Sequence, residues 1–599
     1  MAVLVDRRHL DFVLDEVLGL RDVLAMPKFS AHDRSDVAQI LDTAEQVAED
    51  HFTPSLRLVD DNEPRIENGR VILPQEIGAA LEAFRAQGFL GMTGAADYGG
   101  LELPRLAANA AFLLFQAGNV SIANYALLST SAAELLAVHA TEAQKQRYLK
   151  PIIDGRFFGT MALSEPGAGS SLGDITTSAR ALPNGRYVLR GTKMWISGGE
   201  HDMSENIIHL MLARIEGAAK GVKGLSLFIV PRKRLDEAGR PSVWNNIGLA
   251  GLNHKMGQRG TVNTVLSVGD GGDTIGEIVG KPGEGLACMF TMMNEARIGV
   301  SMGSVAHANA AFQHSLAYAR DRVQGRMPDQ KDPASPQVPL VQHADVKRML
   351  MQQKIAAEGG IALGLYLAKL ADLKAGAATA DERRNASLLL DLLTPVFKAW
   401  ISEECLTANY NAIQVLGGAG YTRDHPVELH YRDNRLNPIH EGTNGIQAID
   451  LVGRKLAMDD CRALVLLTAE IQTMISRAAI PTAKSVAEAA DRGIEALCEI
   501  NAELLRLRAA KGVAAQLAHA HDVMEIAGCT AMLWMWAEMA IASQRILASE
   551  APSDRTFHIG KLAAALAAVS LYQPRLLAAR DRIRNGPPQH LAIDDAMLG

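Results

Sequence analysis

Residues 186–190 read Arg-Tyr-Val-Leu-Arg, residues 207–213 read Ile-Ile-His-Leu-Met-Leu-Ala, and residues 225–230 read Leu-Ser-Leu-Phe-Ile-Val. Short runs rich in β-branched and large apolar side chains, bounded by Gly, Asn and Asp, predict antiparallel strands. They fall inside residues 156–285, and on both flanks the apolar spacing switches to that of helices. Upstream, 6–24, 35–51, 74–87, 105–118 and 122–139 carry helical spacing, with a glycine-rich break at 91–101 (GMTGAADYGGL). Residues 141–148 (TEAQKQRY) start like a capped helix and stop near Pro151. Downstream, helical periodicity runs from about 286 to about 458, interrupted by a long loop rich in Pro and charge at 325–338. Ile480-Pro-Thr-Ala483 reads as a linker, and 485–507, 512–547 and 557–584 as three more helical stretches. The expected fold is mainly α with a central β domain. Its parts are an N-terminal helical domain (1–155), a β domain (156–285), a helical bundle (286–460) and an additional helical domain (470–599).

Composition narrows the function classes. A chain of 599 residues can bury several cores. Its hydrophobic fraction of 48% and charged fraction of 21% are ordinary for a soluble protein. Aromatics are only 5% while Ala, Leu and Met abound, a bias that favours helix. The net charge of -7 offers no general attraction for nucleic acid or an anionic membrane. Five widely spaced cysteines (Cys288, Cys405, Cys461, Cys498, Cys529) include no CxxC pair, so neither a disulfide framework nor a zinc site is expected, and a cytoplasmic location fits. The first twenty residues carry acids and bases throughout, unlike a secretory signal. No stretch is expected to approach the roughly 20 apolar residues that span a bilayer; the best, 530–543, is interrupted by Glu538. The expectation is a soluble protein without integral membrane association. His519 and His521 beside Asp522 do not share a helix face, so no metal is expected there.

Four stretches carry chemistry. Ala162-Leu-Ser-Glu-Pro-Gly-Ala-Gly-Ser-Ser171 stands where helices give way to strands; small residues admit a bulky ligand, and Ser hydroxyls with exposed N–H groups suit heteroaromatic edges or phosphates. Lys193-Met-Trp-Ile-Ser-Gly-Gly199 could wall a ring with indole. Gln414-Val-Leu-Gly-Gly-Ala-Gly-Tyr421 lacks the strand-turn-helix context of a dinucleotide fingerprint. Pro438-Ile-His-Glu-Gly-Thr-Asn444 places one carboxylate in a loop. Alone, each has an ordinary reading: a plain turn, a core tryptophan, a helix end, a solvated glutamate.

Together, in this order and layout, they resemble the acyl-CoA dehydrogenase family over about residues 40 to 460. His254-Lys-Met-Gly-Gln-Arg-Gly260 looks like the family's β-domain turn, Glu295-Ala-Arg297 like the opening of its bundle helix, and Arg322-Val-Gln324 like its flavin-contacting Arg-x-Gln. The resemblance implies an N-terminal helical domain, an antiparallel β domain and a C-terminal four-helix bundle, with FAD as cofactor. Leu163, Ser164, Gly169, Ser170, Trp195, Ile196 and Ser197 would line the flavin and its phosphates. Arg322 and Gln324, with Gln414 and Gly418, would hold the adenine end and pyrophosphate, the latter pair from a neighbouring subunit. Thr443 would also touch the flavin. Asn294, Arg297, Gly442 and Ser170 fall where the family contacts the acyl-CoA. Glu441 would be the base that removes the thioester α-proton while the β-hydrogen leaves as hydride; its own N–H would help polarise the thioester carbonyl.

This sequence departs from the family pattern at Ser171, where Asp usually follows Gly-Ser, at Gly325 in place of Phe, at His440 where Tyr is frequent, and at Gly445 in place of a polar residue. His440 has two readings: a residue that shapes the acyl pocket or tunes Glu441, or a hydrogen-bonded packing residue. The extra N-terminal helix, the loop near 330 and the tail after 470 resemble a longer branch of the family, which includes methylthiopropionyl-CoA dehydrogenases beside enzymes for fatty acyl chains. The resemblance implies an electron-transferring flavoprotein as acceptor and a homodimer, the loop and tail replacing contacts that shorter members obtain by tetramerising. The alternatives are an acyl-CoA oxidase reoxidised by oxygen, and a family member that binds without dehydrogenating.

Overall fold

In the computed structural model, residues 4–330, 332–549 and 554–599 are described. The strand-forming stretches fold as β3 (Phe157–Ala162), β4 (Ser178–Ala181), β5 (Tyr187–Ser197), β6 (Asn206–Ile215), β7 (Leu225–Pro231), β8 (Lys233–Leu235), β9 (Pro241–Trp244), β10 (Ile247–Leu252), β11 (Asn263–Val268) and β12 (Thr274–Val279), preceded by a hairpin of β1 (Arg65–Glu67) and β2 (Arg70–Ile72). Eight form one sheet in the order β10-β11-β5-β12-β7-β6-β3, with β4 pairing both β5 and β6. Its pairings are antiparallel except β3 with β6 and β4 with β6. Strands β6 and β7 are buried along nearly their whole length, as continuous apolar runs covered on both faces are. Alternation divides their side chains: Ile208, Leu210, Leu212, Leu227 and Ile229 join Phe157, Met292 and Met293 on one face. Met211, Ala213, Phe228 and Val230 join Leu189, Ile247 and Leu266 on the other.

Two compact units divide the chain. One comprises Asp36–Pro104 and Ala111–Gly299, the other Met1–Ser35, Arg105–Ala110 and Val300–Gly599. The first contains the sheet. The helix Arg105–His139 runs on from the second unit into the first, where Asn119 leaves helical geometry (φ -164°, ψ 99°). The Asn119 side chain donates to Ser55 Oγ at 3.0 Å and accepts from the N–H of Ile122 at 3.4 Å, so it caps the helix it interrupts.

The second unit is built from long helices, among them Ala344–Gly376, Ala380–Leu416, Pro481–Lys511, Ala520–Leu547 and Arg555–Arg584. The connection into Ala380–Leu416 is short and carries a complete capping box of Thr379 and Glu382. The additional C-terminal helices pack on this helix through Trp400. Its indole N–H donates to Glu525 at 2.8 Å, Arg575 bridges Glu404 and Glu525, and a Cβ at Gly528 would lie 2.1 Å from the Trp400 ring. A second tie joins three elements. Lys561 donates to Glu358 at 2.7 Å and to His9 Nδ1 at 2.8 Å, and the other ring nitrogen of His9 meets the Glu358 carbonyl at 3.3 Å.

Several expectations need correction. Residues 6–24 are not one helix: Arg7–Asp11 widens into a π turn at Phe12–Val17, and Gly19 (φ 65°) restarts the helix at Leu20–Leu24. Ile480-Pro-Thr-Ala483 is not a linker, because Pro481 opens the helix Pro481–Lys511, where its missing N–H costs nothing. Residues 512–547 break into Val513–Leu517 and Ala520–Leu547. Of the loop 325–338, Lys331 lies outside the described residues. Among the described residues, three helices carry 18-residue windows apolar enough to cross a membrane, which a search for uninterrupted apolar runs passes over because polar residues interrupt them. In Arg105–His139 and Ala520–Leu547 these windows are 89% and 94% buried, so protein covers them; in Arg555–Arg584 the figure is 33%.

Two outcomes are expected. Gly528→Ala gains helix propensity of about 1 kcal/mol, but the added methyl meets the Trp400 ring. Overpacking of roughly 3 kcal/mol should win, and the denaturation midpoint of the full chain should fall; an unchanged midpoint refutes this packing. His9, His201, His209 and His440 are each pushed down to about 3, chiefly by burial. Unfolding therefore releases them to bind protons below pH 6.5, and stability falls as pH drops from there towards 3. Each contributes on the order of 1 kcal/mol per pH unit. A urea midpoint equal at pH 7 and pH 5 would refute that.

Candidate active site

The loop that carries Glu441 follows the helix Val427–Asn434 and leads into the helix Asn444–Asp450. Glu441 (φ 55°) and Gly442 (φ 83°) are successive left-handed residues. For a side chain as long as glutamate that conformation is uncommon and costs about 1 kcal/mol or more. Neighbouring contacts hold it. The Glu441 carbonyl accepts from Gln447 Nε2 at 3.0 Å, and the Gly442 carbonyl accepts from Lys398 Nζ at 2.6 Å. The N–H of Asn444 closes back on the Pro438 carbonyl at 3.1 Å. Thr443 caps the following helix by accepting from Ile446 N–H at 3.3 Å, as residue types at that position do.

His440 is buried, hydrogen-bonded and neutral. The Asn437 amide donates to Asn434 Oδ1 at 3.0 Å, so its oxygen faces His440 and accepts from ring Nε2 at 3.0 Å. The chain continues inward, with Asn434 donating to Asn409 at 2.6 Å and Ser304 donating to Asn434 at 2.8 Å. Burial, and secondarily the Lys398 ammonium, holds the His440 ring at about 3, so it carries no charge at neutral pH.

In the other unit, a buried ion pair brings together two of the quoted stretches. Glu165, inside the Ser-Glu-Pro-Gly-Ala-Gly-Ser run, accepts from Lys193 Nζ at 2.9 Å and from the N–H groups of Thr176 and Thr177 at 2.7 and 3.0 Å. Lys193 also donates to the Leu163 carbonyl at 3.0 Å, and Met194 N–H to the Ser164 carbonyl at 2.9 Å. Glu165 is thereby held at about 2, although burial alone would raise it: the Lys193 charge and the threonine donors outweigh desolvation. Between Lys193 and Ile196 the pairing of β5 with β11 slips by a residue. Trp195 sits at that bulge with φ 65°, and 56% of it is exposed. The bulge turns the indole out of the sheet. Ser197 accepts from Asn263 Nδ2 at 3.1 Å.

The remaining predicted residues lie elsewhere. Arg322 and Gln324 touch at 3.4 Å on a turn pinned by Leu340 N–H to Arg322 O and Gln324 N–H to Val338 O. Gly325 there is left-handed (φ 73°), which explains why a bulky residue is absent. Gln414 and Gly418 lie exposed at the end of the helix Ala380–Leu416, beside the left-handed Gly417. Arg297 is buried and meets Asn294 at 3.4 Å.

Within each unit taken by itself, the residues are of the kinds that suit the flavin the resemblance implies. Apart from its immediate chain neighbours, no described atom crowds a Cβ built at Gly167, Gly169, Gly417 or Gly418, so backbone is open to a ligand there. An exposed indole offers a ring face, the Ser164, Ser170 and Ser197 hydroxyls offer polar contacts, and Arg322 offers a cation for a pyrophosphate. Sequence reasoning passed over Lys398, a lone lysine in a helical run, and the pairing of Glu165 with Lys193, two residues inside quoted stretches that no spacing rule joins.

Comparison with known proteins agrees with this layout. Residues 35–156, 160–267 and 283–457 match the N-terminal, middle and C-terminal domains of acyl-CoA dehydrogenase, and residues 467–594 match the acetyl-CoA dehydrogenase C-terminal-like domain. A 3-methylmercaptopropionyl-CoA dehydrogenase from Ruegeria pomeroyi is 35% identical over 563 residues, 93% of this chain and 94% of the relative. The broad-specificity linear acyl-CoA dehydrogenase FadE5 of Mycobacterium tuberculosis is 30% identical over 604 residues, 98% of each chain. Among solved structures, an acyl-CoA dehydrogenase complexed with FAD from Bacillus anthracis shares the fold with a TM-score of 0.75 at 18% identity, over 97% of this chain and 93% of that one. The chain belongs to the acyl-CoA dehydrogenase family.

Proposed function

We propose that the chain dehydrogenates an acyl-CoA thioester to the trans-2-enoyl-CoA with Glu441 as its base, and that it holds FAD through the residues described above. The observation that carries this reading is the Glu441 loop, in which a strained carboxylate-bearing residue is held by neighbours on both sides. Strain of that kind persists where the surroundings over-determine it, and it concentrates at functional sites.

Bound FAD supplies the two-electron acceptor for the hydrogen lost from Cβ. The chain supplies the rest. Glu441 takes the α-proton, leaving the electron pair that becomes the Cα–Cβ double bond as the β-hydrogen departs with two electrons. An α-proton next to a thioester is weakly acidic, so the carbonyl oxygen needs hydrogen-bond donors as negative charge grows on it. The N–H of Glu441 is the donor assigned to that task. Gly442, Asn294, Arg297 and Ser170 are assigned to the acyl-CoA. His440, neutral and tied to Asn437, adds no charge beside the base.

The substrate is a fatty acyl-CoA or 3-methylthiopropionyl-CoA; support comes from the two relatives of those names. An electron-transferring flavoprotein is assigned as acceptor and a dimer as assembly. The first is supported by the likeness of the Glu-Gly-Thr-Asn loop to dehydrogenases. The second rests on the additional helical domain, which takes up contacts that shorter members make by tetramerising.

Anaerobic titration of the purified yellow protein with a panel of acyl-CoAs, including the 3-methylthiopropionyl thioester, tests the reading. Stoichiometric bleaching by at least one thioester is expected, with slow peroxide formation when air is admitted. A protein that no acyl-CoA bleaches is a binder, and peroxide formed as fast as substrate is oxidised makes it an oxidase.

A further inference from the structure

The helix Ala380–Leu416 carries at its centre a lysine that no surface role explains. Lys398 is 0% exposed. Burying an ammonium costs several kcal/mol unless its protons find acceptors, and the acceptors here lie on the base-bearing loop. Nζ donates to the Gly442 carbonyl at 2.6 Å and to Asn444 Oδ1 at 3.1 Å. One helical turn on, Ser402 Oγ lies 3.2 Å from Asn444 Nδ2, which also donates to Glu403 at 2.9 Å. Lys398 and Ser402 are four residues apart and share a face, so one side of a single helix grips both residues flanking Thr443. That helix is held in turn by Trp400, whose indole packs over Gly528 and donates to Glu525.

We propose that Lys398 is the positioning residue of the proton-abstracting loop: by clamping the Gly442 carbonyl and the Asn444 side chain it fixes the left-handed turn that presents the Glu441 carboxylate. The proposal rests on the reading of Glu441 as base. A charge-assisted hydrogen bond contributes more than a neutral one, which suits a contact that must offset backbone strain at Glu441. Burial, and secondarily the same ammonium, keeps His440 neutral. Without the clamp, Gln447 still holds the Glu441 carbonyl. The loop then folds but is less sharply placed, and displacement of a reacting group by about 1 Å costs on the order of 100-fold in rate.

The test uses the FAD-loaded full chain carrying Lys398→Met and, because a buried charge site can fail to fold when altered, separately Asn444→Ala. Flavin content, acyl-CoA affinity by spectral titration, and the single-turnover bleaching rate with protiated and α-deuterated substrate are measured for each. The expectation for Lys398→Met is roughly 100-fold slower bleaching, flavin content and acyl-CoA affinity within about threefold of the parent, and a larger α-deuterium isotope effect. Asn444→Ala should move the rate and isotope effect the same way by roughly tenfold, the equivalent of one weakened hydrogen bond. Parent-like bleaching in both variants overturns the proposal. Loss of flavin and acyl-CoA binding in step with rate, in whichever variant folds, also overturns it, since that marks a general structural role. Glu441→Gln assayed alongside separates the two claims: if that variant bleaches normally, the base assignment fails rather than the clamp.

Discussion

Two consecutive residues in left-handed backbone geometry, Glu441 and Gly442, are the constraint around which the Glu441 loop is arranged. Glycine enters that region freely, but glutamate enters it at a cost. Both carbonyls in the turn accept from side chains, Gln447 and Lys398. Behind Lys398 stands a helix braced by Trp400, Glu525 and Arg575, so the additional C-terminal helices reach the loop by one step of packing. In this reading the tail is part of what makes the turn rigid.

A second buried ammonium works in the sheet-bearing unit. Lys193 joins the strand that carries Trp195 to the loop that carries Ser164, through the Leu163 carbonyl and the Glu165 carboxylate. A buried ion pair is rarely a net gain in stability, because desolvation consumes most of the attraction, yet removing one partner leaves an uncompensated charge at several kcal/mol. Such pairs make sense where they fix geometry. Both lysines connect a regular element, a helix or a strand, to a carbonyl in an irregular one, and both irregular segments are those assigned to chemistry.

Much of this was legible before any coordinates. Strands at 207–213 and 225–230 follow from short, mostly apolar runs with turn residues between them, and the long helices follow from spacing. Glu441 could not be separated from other loop glutamates by its own surroundings; it stood out only beside the serine- and tryptophan-bearing motifs far upstream. Other features left no local trace. Phe397-Lys-Ala-Trp400 looks like any helical segment, because what distinguishes Lys398 is a contact 44 residues away. The break between 105–118 and 122–139 was legible and stands at Asn119; what left no trace is that the Asn119 side chain caps the second helix. The apolar window within 105–139 was passed over, and the one at 520–547 was set aside for Glu538, because the mean hydropathy of a long helix marks them and not an uninterrupted run of apolar letters.

His440 shows how structure narrowed a choice that sequence left open. Its ring is committed to Asn437 and through it to Asn434, Asn409 and Ser304, a polar chain among buried helices. That position suits a residue that shapes the floor of the loop, and it removes a charged imidazole from beside the base. The central proposal is that the Glu441 carboxylate moves the α-proton. The direct measurement is single-turnover anaerobic bleaching of Glu441→Gln, loaded with FAD and saturated with an acyl-CoA that bleaches the parent. The account predicts a rate lower by about 1,000-fold or more, the contribution of a positioned general base, with flavin content and acyl-CoA affinity retained. Bleaching of that variant at the parent's rate would contradict it.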